Sequence, residues 1–173
     1  SFKNELICIY ANQFIFKTSE LEILENGNLV SAKNGTAISD DKDLELEAKK
    51  FNYLKNLNLL TAFEGVINIK SENLRIEFNQ IEIDKENSTI NANGNIKIND
   101  LKKDLEIKTN SISYDKKTNI LKSNSNSTLK DKLNNKFKTE LFYYNLSDNI
   151  LKIKNAHFRD FENNNFFLDI AYI

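Results

Sequence analysis

Proline, tryptophan and methionine are absent from this 173-residue chain, and cysteine and histidine occur once each. A single cysteine, Cys8, excludes any disulfide framework within the chain. In the apolar run Leu6-Ile7-Cys8-Ile9 it reads as a small buried hydrophobe, with pairing to a cysteine outside this sequence as the alternative. No pair of His or Cys has the spacing of zinc ligands, and Asp40-Asp41-Lys42-Asp43 lacks the loop pattern of a calcium site. That run reads as a solvated turn. His157 could act as a base only beside a hydroxyl and a carboxylate, and its setting, Asn155-Ala156-His157-Phe158, reads as ordinary strand. Gly27, Gly35, Gly65 and Gly94 are scattered singly and make no phosphate-cradling loop. Glu45 and Glu47 share the outer face of a strand among lysines, where nothing separates their pKa values as an acid/base pair requires. Catalysis, metal and cofactor are therefore not expected.

Other absences narrow the class further. No apolar run approaches the roughly 18 residues that a membrane-spanning helix needs. Neither sign of charge dominates: 24 Lys and Arg stand against 25 Asp and Glu, interleaved throughout, which argues against a nucleic-acid partner. Lacking Met, the chain does not begin at a natural start, so Ser1 is expected to be a cut site after a removed signal peptide. Phe166–Ile173 is a strong strand that simply stops, and more protein is expected beyond it.

Asn, Lys and Ile are abundant, as an AT-rich genome would give. The dominant period is two. Leu44-Glu45-Leu46-Glu47-Ala48, Leu74-Arg75-Ile76-Glu77-Phe78, Ile81-Glu82-Ile83, Ile96-Lys97-Ile98 and Leu105-Glu106-Ile107-Lys108 alternate apolar with polar, as do Phe166, Leu168, Ile170 and Tyr172. Such alternation marks half-buried antiparallel strands and predicts an all-β fold. Asn26-Gly27-Asn28, Asn34-Gly35, Asp84–Asn87, Asn93-Gly94-Asn95, Asp115–Lys117 and Ser147-Asp148-Asn149 supply turn chemistry, and with so few glycines Asn must fill many left-handed positions. Val30–Asp43 is expected to hold an extra hairpin or longer loop, and the polar stretch Ser123–Asn135 a mobile loop. No linker divides the chain, so residues 1–173 read as one domain.

These strands repeat. Leu44–Ile69 and Leu74–Ile98 align with Leu44, Leu60, Ala62 and Val66 on Leu74, Ile90, Ala92 and Ile96. Further copies start at Leu105 and Phe137, and an earlier one at Ile7, with Ala11, Phe14 and Phe16 on Ala48, Phe51 and Tyr53, and Gly27-Asn28-Leu29 on Gly94-Asn95-Ile96. In the third copy Asn126 takes the place of Asn95. A period of about 30 residues means stacked strand pairs, none able to bury its apolar face without neighbours. Small residues recur inward at Ala48, Ala62, Ala92 and Ser123. They fit either tight sheet-on-sheet packing or an open apolar furrow suited to a lipid.

The pattern Ala48-x-x-Phe51-x-Tyr53 followed by Leu60-Thr61-Ala62, with Ile90-Asn91-Ala92-Asn93-Gly94-Asn95-Ile96, Tyr114-Asp115 and Ile120-Leu121, resembles the OstA/LptA-like family of lipopolysaccharide transport. Lys49 stands where that family commonly has Asp, and Ser125-Asn126 where it has Gly-Asn. The resemblance implies a twisted, partly open antiparallel β-jelly roll that holds the acyl chains of lipopolysaccharide while the sugars stay outside. Leu46, Ala48, Phe51, Ile76, Phe78, Ile83, Ile90, Ala92, Ile107, Ile112, Tyr114 and Phe142 are the implied furrow residues. Ile7, Ile9, Ala11, Phe14 and Phe16 are the implied edge for strand addition by an LptA-like bridge protein. The tail from Asn155 is most similar to the N-terminal periplasmic domain of the family's outer-membrane assembly component, implying an outer-membrane barrel beyond Ile173. A periplasmic location at the outer membrane follows from the same likeness. A structural β-solenoid with a dry core is the competing expectation.

Overall fold

The computed structural model describes residues 6–10 and 13–172. Strands β1 (Leu6–Tyr10), β2 (Phe14–Leu24), β3 (Leu29–Ser39), β4 (Leu44–Leu54), β5 (Leu59–Ile69), β6 (Leu74–Asp84), β7 (Thr89–Asp100) and β8 (Leu105–Asp115) follow one another as antiparallel neighbours. Then come β9 (Ile120–Ser123), β10 (Ser127–Lys130), β11 (Lys136–Thr139), β12 (Leu141–Asn145), β13 (Ile150–Arg159) and β14 (Asn165–Tyr172). One end of β8 pairs with β9 and the other with β10, and β13 divides likewise between β12 and β11. Thus β9 with β10, and β11 with β12, each form one long strand broken in the middle. The all-β expectation holds.

Every long strand carries a bend at its centre. In β4, Leu44, Leu46 and Ala48 point inward, Lys49 and Lys50 both point out, and Phe51 and Tyr53 point inward again. Two consecutive outward residues reverse the pleat's phase, so the strand turns a corner and keeps the same face inside. The facing strands turn there through a left-handed residue: Asn34 in β3, Glu64 in β5, Asn95 in β7 and Asn155 in β13, with φ of 49°, 50°, 49° and 50°. Between Ala48↔Gly65 and Lys50↔Phe63 the ladder skips Lys49 and Glu64, whose side chains form an ion pair outside the bend. Broken ladders leave carbonyls to be satisfied, and threonines take them: Thr18 donates to Lys33 O and Thr139 to Lys154 O. Neighbouring strands approach so closely here that a Cβ on Gly65 would lie 2.2 Å from Glu47 O, and one on Gly35 2.1 Å from Lys17 O.

The bends fold the sheet in half. An eleven-residue strand spans about 36 Å when straight, yet Lys85, after β6, lies 2.9 Å from Asp40, at the opposite edge of the sheet after β3. The result is two leaves facing each other across a common core. Phe14 and Phe16 of one leaf meet Tyr53 and Phe51 of the other edge to face, at 5.5 and 6.1 Å between ring centres. Turns gather in two parallel rows along the mouth, and in one row each turn bonds the next: Lys55 N–H donates to Asn28 O, Lys85 N–H to Asn58 O, Lys116 N–H to Ser88 O and Leu146 N–H to Asn119 O. Asn58, Asn119 and Asn149 in one row and Asn73, Asn134 and Asn163 in the other have positive φ. Asn is thus the left-handed residue of this chain, as expected from its scarce glycine.

Several local expectations change. Val30–Ser39 is no hairpin or loop but the body of β3, a strand as long as β5. Asn28 belongs to a turn and Asn95 to a bend, so the structural partner of Asn95 is Asn34, and the first repeat was set in the wrong register. Likewise Phe14 and Phe16 stand where Leu44 and Leu46 stand, at the start of a strand. Both registers put an apolar residue inside, so alternation could not choose between them. The offset of 30 residues holds only as far as Ala62 and Ala92; bulging at Gly94-Asn95 adds a residue, so Lys97 rather than Ile96 lies level with Val66 across β6. Ser123–Asn135 contains β9's end, all of β10 and a turn. Its polar residues are explained by a hydroxyl cluster: Thr109 Oγ1 lies 2.9, 2.7 and 3.0 Å from the hydroxyls of Ser123, Ser125 and Ser127. Asn126 does not repeat the left-handed bend of Asn95; β9 and β10 part there instead.

Crowding at the bend predicts that Gly65→Ala lowers stability by about 2–3 kcal/mol, as overpacking does. Glu64→Gly removes a side chain from a left-handed site and loses one exposed ion pair, so it is expected to be neutral or stabilising by up to about 1 kcal/mol. Urea unfolding of the two variants checks this, and equal losses would contradict the bend.

Candidate functional site

All twelve residues expected to line a furrow face the space between the leaves. Leu46, Ala48, Ile76, Phe78 and Ile107 come from one leaf, and Phe51, Ile83, Ile90, Ala92, Ile112, Tyr114 and Phe142 from the other. Each is at most 6 % exposed. The fold brings them into one continuous apolar column that crosses the strands from β2 to β13. Ala62 and Ser123, the other small inward residues, are buried in the same space. In this state the leaves are in contact, and the furrow is closed. A groove of about 970 Å³ lies elsewhere, on the outside of the bends of β2–β5 and against β6, among Lys17, Glu47, Lys49, Glu64 and Arg75. Its charged side chains are mixed with small and apolar residues such as Gly35, Ala48 and Val66, and no set of converging groups suggests chemistry there.

Polar contacts close the mouth. Lys85, from one row of turns, lies 2.9 Å from Asp40 and 3.7 Å from Asp41 of the other row. Lys116 lies 2.7 Å from Asp43 and 3.7 Å from Asp41. Farther along, Asn119 Nδ2 donates to Glu72 at 3.0 Å, Lys103 Nζ to Asn149 O at 2.8 Å, and the Tyr144 hydroxyl to Asp100 at 2.6 Å. Burial, and after it the hydrogen bond to Asp100, pushes the Tyr144 phenol far above its usual range, which keeps it a donor. The run Asp40-Asp41-Lys42-Asp43, read as a solvated turn, is therefore a cross-leaf binding element as well. Sequence inspection missed it because its partners lie 45 and 73 residues away.

The two edges differ from expectation. β1 is the edge strand, while Phe14 and Phe16 lie one strand in, on β2, each 1 % exposed in the core. An edge formed by Ile7, Ile9, Phe14 and Phe16 together is thus corrected: only Ile7 and Ile9 belong to the edge strand, and Ala11 lies outside the described residues. At the far edge, β14 is not half-buried by alternation. Leu168 and Ala171 pack on the core, but Phe166, Phe167, Ile170 and Tyr172 are 47, 84, 48 and 67 % exposed. Phe137, Phe158 and Phe166 stack in sequence at 4.5 and 5.7 Å, carrying the apolar inner face out to that edge. On the other face His157 stacks on Phe167 at 4.9 Å, as a strand residue.

No family model and no curated protein matches this sequence. Among solved structures, the folded-over sheet is similar to that of LptH from Pseudomonas aeruginosa, described as the LptA-homologous periplasmic component of the lipopolysaccharide transport device. The TM-score is 0.57 over 64 % of this chain and 81 % of LptH, at 13 % identity. What the two share is the fold.

Asp41 and Asp43 give the mouth a pH signature. Burial pulls both carboxyls upward, but hydrogen bonds from Ser39 to Asp41 and from Lys116 and Ser71 to Asp43, with the lysine charges, hold them below the ordinary 3.8. The stability they contribute is present above that value and lost as pH falls through the lowered folded values. Unfolding midpoints measured from pH 5 to pH 2 should therefore fall less steeply in Asp41→Asn/Asp43→Asn than in the parent. Asp84, Asp115, Asp160 and Glu106, also held low, supply the fall that remains. Parallel profiles would contradict the pairing.

Proposed function

We propose that this chain is a periplasmic lipopolysaccharide-transport segment whose two leaves hold the acyl chains of lipid A between them. The carrying observation is the unbroken apolar column, which runs across the stacked strands rather than being sealed into separate cores. Similar inward positions recur along it, so a chain can slide without meeting one deep well. The likeness to LptH adds support, since that protein is described as a component of the same transport device.

Docking would use the free edges. Among the described residues β1 and β14 end the sheet, and an unpaired edge strand is a template for another strand. An LptA-like bridge protein would add to β1, and the exposed aromatic edge at β14 would continue the track toward an outer-membrane barrel in the same chain. On this reading the chain corresponds to the N-terminal domain of the assembly protein LptD, at the outer membrane, with LptA and LptC as the alternative members. The role is carriage, not catalysis.

A dry structural core is favoured by one specific observation, the near-complete burial of all twelve furrow residues. A photoactivatable residue at Phe78, with Glu77 as the outward control, separates the two readings in living cells. Lipopolysaccharide adducts at Phe78 but not Glu77 are expected. Adducts at neither site, in a folded chain, would leave the interior dry.

A further inference from the structure

Resting on the carriage reading, we propose that lipid enters sideways through the mouth, at a latch formed by Lys85 and Lys116 with Asp40, Asp41 and Asp43. The geometry separates this from entry at the ends of the column. Both lysines come from turns of one leaf, and all three carboxylates from a single turn of the other. These contacts therefore hold leaf to leaf and nothing else. The lysine side chains are only 17 and 24 % exposed, and Lys85 also lies over the Phe14 ring at 5.8 Å, so the latch sits directly on the apolar interior.

Its strength suits a gate. Ion pairs of this partly exposed kind are individually weak. An acyl chain of roughly a dozen methylenes gains far more by burying its apolar surface. Opening without a lipid only wets the interior, so the leaves close again. Opening with one replaces the leaf-to-leaf apolar contacts by contacts with the acyl chain, so only the weak latch contacts are given up. The two lysines released on opening are then placed at the rim, where the headgroup of a phosphorylated lipid must stay.

Locking the latch tests this. In a Cys8→Ser background, Asp43→Cys/Lys116→Cys is joined by a short bismaleimide, with a photoactivatable residue at Phe78 and dispersed lipid A as the probe. The unbridged form should label at least as fast as the unsubstituted latch, and the bridged form at least tenfold more slowly. Equal labelling of bridged and unbridged forms overturns side entry and assigns the route to the ends, with carriage intact. No labelling in the intact latch or in either form, with folding verified by circular dichroism, removes the carriage reading itself and the latch with it. A bridged chain that labels slowly with lipid A yet keeps the unbridged thermal midpoint or higher excludes misfolding as the cause.

Discussion

The bend at the middle of each strand is the constraint on which everything else depends. A straight antiparallel meander of these strands would be a flat ribbon with one greasy face. Bending every long strand at its middle, one set through a left-handed residue and their neighbours through two consecutive outward residues, folds that face on itself and makes an interior from a single sheet. The cost is local and recurrent: an αL residue disfavoured by about 1 kcal/mol unless it is Asn or Gly, a skipped rung, and carbonyls that need a hydroxyl. Asn34, Asn95, Asn155, Gly35, Gly65, Thr18 and Thr139 meet those needs. The polar, asparagine-rich composition is therefore part of the folding mechanism as well as a codon effect.

Two kinds of force hold the leaves together, and they differ in scale. Large inward side chains contribute about 1.5–3 kcal/mol each on burial, so the core decides that the sheet folds over. Contacts along the mouth are individually weak and decide how readily it parts. A strong non-directional core with a weak directional rim suits the proposed carriage of flexible apolar chains. The first keeps the sheet folded over, and on that proposal the second permits access.

Much of this was legible in the sequence. Strict alternation fixed the strands and their inward faces, and the twelve predicted furrow residues are all inside. The errors came where period two is blind. Alternation cannot distinguish a turn from a mid-strand bend, since Asn-Gly serves both, so the sequence pairs Asn28 with Asn95 and reads β3 as an extra hairpin or longer loop. Phe14 and Phe16 read as edge residues because a strand's neighbours are not written in its own residues. The polar run from Ser123 to Ser127 suggested a loop because a buried hydroxyl cluster has the same composition. The mouth was invisible for a different reason. Its ion pairs join turns one and a half or more repeats apart, and only the folding of the sheet brings them together.

Central to this account is that the leaves part around an acyl chain. The most direct measurement is the distance between spin labels on Ser71→Cys and Thr118→Cys, exposed residues of the two facing rows of turns, in a Cys8→Ser background. Pulsed electron resonance with and without lipid A should show a longer separation and a broader distribution when lipid is bound. An unchanged, narrow distance at saturating lipid would contradict the account and leave a folded-over sheet with a permanently dry core.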